Sequence, residues 1–107
     1  MEESTYIVLF ITTATIGEAK RISKALLNQR KAACVNIVPK VSSLFWWQEK
    51  LNSAQESLLI IKTKASQLNE IVRLVKELHS YDVPEIIALP IVGGNQDYLE
   101  WIDKEVR

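Results

Sequence analysis

At 107 residues the chain is expected to form one domain over 1–107, long enough to bury a core without a disulfide or a metal. Thirteen basic residues cancel thirteen acidic ones, so there is no basic field for general nucleic-acid binding. The lone cysteine, Cys34, has no internal partner, no apolar run approaches the ~20 residues of a membrane span, and Met1-Glu2-Glu3-Ser4 lacks the marks of a signal peptide; the expectation is a cytoplasmic protein with no membrane or nucleic-acid partner.

In chain order, Thr5 to Thr13 reads as a strand, because Tyr6-Ile7-Val8-Leu9-Phe10-Ile11 is β-branched or apolar at every position and uncharged. Thr15 and Glu18 have the spacing of a capping box at a helix start. Ile16, Ala19, Ile22, Ala25 and Leu26 follow at helical intervals, and the helix is expected to end near Arg30 or Lys31, where cations meet its negative end. Ala33 to Ile37 is a second strand. Pro39 marks a bulge or an edge, since it has no N–H for a ladder. The strand is expected to resume through Val41 to Gln48 and to turn over Lys50 to Ala54, with Asn52 and Ser53 as turn residues. Glu56 to Thr63 returns as a third strand. Ser66 is the expected cap of a second helix, whose apolar face is Leu68, Ile71, Val72, Leu74, Val75 and Leu78. Glu85 to Ile91 is a fourth strand, closed by Pro90. Asn95 is expected to cap a last helix with Leu99, Ile102 and Val106 inward.

This order, strand-helix-strand-strand-helix-strand-helix, predicts an α+β ferredoxin-like split β-α-β fold with a long hairpin between the second and third strands and a C-terminal helix. Two helices cover one face of such a sheet. The strands are apolar at consecutive positions, so the second face needs another partner. The fifteen residues from Cys34 to Gln48 span roughly 50 Å if extended. The outer half carries Phe45, Trp46 and Trp47, and adjacent tryptophans point to opposite faces. An exposed aromatic edge is an aggregation hazard unless it is paired, so a symmetric homo-oligomer is expected, with these aromatics at its interface.

The stretches Lys31-Ala32-Ala33-Cys34-Val35-Asn36-Ile37-Val38-Pro39, Phe45-Trp46-Trp47-Gln48-Glu49-Lys50-Leu51, Ile60-Ile61-Lys62-Thr63, His79-Ser80-Tyr81-Asp82-Val83-Pro84-Glu85-Ile86-Ile87-Ala88-Leu89-Pro90 and Asp97-Tyr98-Leu99-Glu100-Trp101-Ile102 closely resemble the CutA family of divalent cation tolerance proteins, in family order and over nearly the whole chain. The resemblance implies a homotrimer built by strand pairing between subunits, an architecture similar to P-II signalling proteins, and a link to divalent metals, copper in particular. Some members place a cysteine at the end of the first strand, beside a histidine and a glutamate, as a proposed metal site. Ile11 stands there in this chain, while His79 and Glu85 match the other two. The glycine common before the hairpin lysine is Glu49 here.

Each candidate residue has a plainer reading. His79 closes a helix, where imidazole suits the negative end without any metal. Cys34 reads as a small buried hydrophobe in mid-strand. Glu49, Lys50, Glu56 and Lys62 are candidates to converge with His79, Tyr81 and Glu85 in a cleft between subunits; the alternatives are small-ligand or anion recognition and an ion-pair network at the interface rim. Gly93-Gly94 lacks the spacing of a phosphate loop, and no acid–base carboxylate couple stands out. The expected function is a non-enzymatic trimer that responds to divalent ions. It needs no cofactor, and Cu(II) or another divalent cation is the implied ligand. A P-II-like small-ligand module and a trimeric scaffold for a protein partner are the alternatives.

Overall fold

The computed structural model describes residues 5–107; Met1–Ser4, read above as carrying no targeting signal, lie outside them. The elements are β1 (Tyr6–Thr13), α1 (Ile16–Asn28), β2 (Cys34–Trp47), β3 (Lys50–Lys64), a 3-10 turn (Ala65–Gln67), α2 (Leu68–Leu78), β4 (Ile86–Pro90) and α3 (Gln96–Glu105). The sheet order is β2-β3-β1-β4, antiparallel throughout, which is the ferredoxin-like arrangement. β1 is central because its uncharged run tolerates cover on both faces. Its alternate residues Ile7, Leu9 and Ile11 are buried beside Leu59 and Ile61 of β3, Ile22 and Leu26 of α1, and Ile71 and Val75 of α2. α3 closes one end of the sheet, with Leu99, Ile102 and Val106 packed on Tyr6, Ala33 and Ile91.

On the opposite sheet face α3 covers only the end at Tyr6 and Lys64, and neither α1 nor α2 packs there. Val8, Phe10, Leu58 and Ile60 lie there half-buried, and Ile87 and Leu89 keep 51% and 44% of their surface exposed. Strand alternation makes this inevitable once the other parity is committed to the core.

The capping box forms with a modification. Thr15 Oγ1 accepts from the Glu18 N–H at 3.1 Å, but the Glu18 carboxylate reaches past the cap to the Ala14 N–H, also at 3.1 Å. Asn95 caps α3 as expected, accepting from the Asp97 N–H. α1 stops at Asn28, short of Arg30 and Lys31. Arg30 takes a left-handed φ of 58° and pairs with Glu105 at 2.6 Å, so its cation serves α3 and not the end of α1. Ser66 is not a cap; it lies in the 3-10 turn, and no side chain caps α2. β4 begins at Ile86 and ends at Pro90, one residue inside each expected limit.

The hairpin turn also differs from expectation. The turn residues are Gln48 and Glu49, with φ of 51° and 64°, between paired Trp47 and Lys50. This is the two-residue loop whose twist matches that of the flanking strands. Asn52 and Ser53, expected in the turn, are strand residues opposite Phe45 and Leu44. Asn52 instead braces the turn by donating to the Trp47 and Lys50 carbonyls. β2 runs unbroken from Cys34 to Trp47, with its register shifted between Val38 and Val41. Pro39 sits in that bulge, and Ser57 Oγ donates to its carbonyl at 2.8 Å.

Candidate functional site: a cleft beneath the hairpin

Beyond the bulge, an open cleft of about 780 Å³ lies against the outer half of β2. One wall is β2, through Ser42, Ser43, Leu44, Phe45 and Trp47. The floor is Thr12 and Glu56, and the far wall is the segment Tyr81, Asp82, Val83 and Glu85 between α2 and β4.

A hydrogen-bonded frame holds that far wall. His79 is buried, and its Nε2–H donates to the Thr12 carbonyl at 2.7 Å. Its Nδ1 accepts the Tyr81 N–H at 3.0 Å, which fixes the neutral tautomer with the proton on Nε2. Glu18 accepts the Ser80 N–H at 2.8 Å. The Tyr81 hydroxyl then crosses to Glu56 Oε2 at 2.8 Å. Burial first, and then the hydrogen bond to Glu56 with the negative charges of Glu56 and Glu18, push the Tyr81 hydroxyl up to about 12. Burial also pushes the Glu18 carboxyl up, but hydrogen bonds from Ser80 and Ala14 outweigh it and leave the group below its ordinary value.

Of the cleft candidates, Glu56, Tyr81 and Glu85 are brought together, with Phe45 and Trp47 beside them. Lys50, Glu49 and Lys62 are not among the lining residues, and Trp46 faces away from the cleft with 73% of its surface exposed. Lys62 lies six residues along β3 from Glu56, a separation of roughly 20 Å, and bonds to Asn36. Cys34 opens β2 instead of lying within it, and it is half-buried rather than buried. Its Sγ is 3.9 Å from both Lys62 Nζ and Asn36 Oδ1. Sequence reasoning missed Thr12, Ser42 and Ser43 as lining residues, and Glu18 as the anchor of the wall. Alternation along β1 carried the signal for Thr12; nothing local marked the serines.

These residues do not fit a transition-metal centre as they stand. Both His79 ring nitrogens are committed to backbone groups, Glu85 is exposed, and no group of three or more His, Cys, Asp or Glu residues is placed to hold a metal ion among the described residues.

A family model described as CutA1 divalent ion tolerance protein matches residues 7–105. The chain belongs to the CutA family. It is 44% identical over 99 residues to a CutA divalent-cation tolerance protein of Archaeoglobus fulgidus, covering 92% of this chain and 96% of that one. Against the chloroplastic CutA 1 of Oryza sativa it is 46% identical over 101 residues, covering 94% of this chain but only 57% of the rice protein. The chain therefore spans little more than half of that CutA relative, and 61% of the chloroplastic CutA of Arabidopsis thaliana. Among solved structures, CutA1 of Oryza sativa superposes with a TM-score of 0.94 at 45% identity, covering 98% of this chain and 96% of that one. The Archaeoglobus fulgidus CutA, described as a periplasmic divalent cation tolerance protein, gives 0.93 at 41%, covering 95% and 99%. These CutA relatives carry different cellular addresses. No helix among the described residues of this chain is long and apolar enough to cross a membrane.

Proposed function

We propose that this chain is the subunit of a non-catalytic homotrimer that serves tolerance to divalent cations, working in the cytoplasm as a small-ligand-responsive module of P-II-like architecture. The observation that carries the reading is the partly covered sheet face. Val8, Phe10, Leu58, Ile60, Ile87 and Leu89 form an apolar surface that α3, seated at its Tyr6 end, leaves only partly buried. Two unpaired sheet edges, β2 and β4, flank it and suit strand pairing between copies. Trp46, exposed on the outer side of the hairpin, is placed to seal against a neighbour. The names of the archaeal and bacterial relatives support the link to divalent cations.

Catalysis is disfavoured by the separation of nucleophile and base. Cys34 lies opposite Lys62, whereas His79 is bonded to Thr12, which lies opposite Leu58. Four strand residues separate those positions, roughly 13 Å, far beyond hydrogen-bond reach. Divalent ions would then act through assembly and ligand state, not through a protein chelate centred on His79.

Light scattering at micromolar concentration tests the assembly. The expected result is three subunits for wild type and a smaller species for Ile60→Asp, which puts a charge on the apolar face. A monomer mass for wild type would sink the reading.

A further inference from the structure

The charge pattern of the cleft specifies what kind of ligand it takes. Glu56, Asp82 and Glu85 line it, and no lysine or arginine does so among the described residues. Glu56 differs from the other two. It keeps only 8% of its surface exposed. Its Oε2 accepts from Tyr81, and its Oε1, with neither a hydrogen bond nor an ion pair among the described residues, keeps contact with solvent. A carboxylate held mostly out of water, with no cation beside it among the described residues, is stabilised by a positive charge delivered into the cleft.

The remaining wall decides between a hard ion and an organic one. Phe45, Trp47 and Tyr81 present aromatic surface around the carboxylate. Aromatic faces attract ammonium and guanidinium groups and cover alkyl chains. They offer nothing to a hydrated divalent ion, which needs several oxygen or nitrogen donors in one shell. Anionic ligands such as nucleotides meet three carboxylates and no counter-charge.

We propose that the cleft binds an organic cation, an alkyl chain ending in a primary ammonium or a guanidinium, with Glu56 as its counter-ion and Phe45, Trp47 and Tyr81 as its aromatic collar. This rests on the cleft being the ligand site of the proposed module, and it names the ligand class. The same chemistry has two sources: a free small molecule, or the Lys62 ammonium of a second copy. Lys62 lies on the same sheet face as Glu56, at the end beside α3 and opposite the cleft, so a ring of subunits closed head to tail would carry one copy's cation towards the next copy's carboxylates.

The experiment is calorimetric titration of the intact protein with agmatine, with ATP and CuCl2 as separate probes, and the oligomer mass is measured on the same samples. Saturable agmatine binding is expected, and Glu56→Gln should weaken it by more than about tenfold. Should Glu56→Gln fail to fold, the double variant Asp82→Asn, Glu85→Gln at the exposed rim should weaken agmatine several-fold at low salt and less at high salt. If wild type ignores agmatine while Lys62→Met binds it, the cation is supplied by a second copy and the ligand class stands. Silence in both proteins overturns the proposal. So does unchanged affinity in the carboxylate variants, or tighter binding of ATP or CuCl2 than of agmatine. A monomer that binds agmatine would sink the trimer alone; a trimer that fails every agmatine arm would sink this inference alone.

Discussion

The Tyr81 hydroxyl donates to Glu56 Oε2 across 2.8 Å, tying the segment after α2 to the third strand. The bond closes a path that starts at Glu18 on α1, passes through the Ser80 and Tyr81 backbone and His79, and ends on the cleft floor. Tyr81→Phe removes one donor and leaves a mostly buried carboxylate short of its only hydrogen-bond partner among the described residues. The expected cost is about 1–3 kcal/mol, the range for a hydrogen bond to a charged group, read from the denaturant midpoint.

The same hydroxyl predicts an alkaline limb. Its folded value is raised to about 12 from 10.0, so the folded state holds this proton more tightly. Stability from this group is complete below pH 10 and is lost as pH rises towards 12. Tyrosinate absorbance should show late ionisation that disappears in Tyr81→Phe, and the fall in stability should flatten with it. A variant titrating identically to wild type would rule Tyr81 out as the source.

Glu18 predicts the opposite limb. Its carboxyl is held below the ordinary 4.5, so its contribution is present above that value and is lost as pH falls through the lowered one. Glu18→Gln should reduce stability at neutral pH and make its loss in acid shallower. Thr15→Ala, which removes the cap of the same helix, should cost about 1 kcal/mol with no such change in shape.

His79 bridges two backbone groups, and its loss leaves the Thr12 carbonyl and the Tyr81 N–H to find water. His79→Ala should destabilise by about 1–3 kcal/mol and release the Tyr81 amide to hydrogen exchange. Because both ring nitrogens are already committed, Cu(II) titration should give the same affinity for wild type and His79→Ala. A large loss in the variant would restore His79 as a ligand.

Glu49 occupies a left-handed position with a φ of 64°. Glycine holds that conformation without a Cβ clash, so Glu49→Gly should stabilise the hairpin by about 0.5–1 kcal/mol, net of its greater chain entropy. A rise of a few degrees in melting temperature is the expected readout.

The fold was legible where one periodicity dominated. The β-branched run Tyr6–Ile11 and the helical spacing of Ile22 and Leu26 each admit one reading, and both are as expected. The hairpin tip was misplaced because Asn52 and Ser53 have turn chemistry, whereas Gln48 and Glu49 do not. The side chain of Asn52 bonds to the turn without being in it, so composition pointed close to the right place. The grouping of Glu56, Tyr81 and Glu85 was anticipated from the family resemblance. Lys62, expected to meet them in a cleft between subunits, does not reach them within one subunit, because it lies six residues further along β3 from Glu56 and bonds to Asn36. The buried anchor Glu18 was read only as a helix cap; its second partner, Ser80, is remote in sequence and invisible to local patterning.

The central position of β1 governs how the chain is made. β1 leaves the ribosome before either of its partners, β3 and β4, which it meets through pairs such as Ile7 with Thr63 and with Pro90. The β2–β3 hairpin closes through a two-residue turn and needs nothing else to begin, so it can zip within about 1–10 μs of synthesis. β1 waits until both flanking strands exist. Synthesis at about 5–20 residues per second leaves an uncharged β-forming segment without partners for seconds. In that interval Ile7–Ile11 is the stretch most open to chaperones and to pairing with other nascent chains. A circular permutant that opens between α1 and β2 and joins the old ends, so that β1 is made after β4, should shorten that interval and aggregate less on expression.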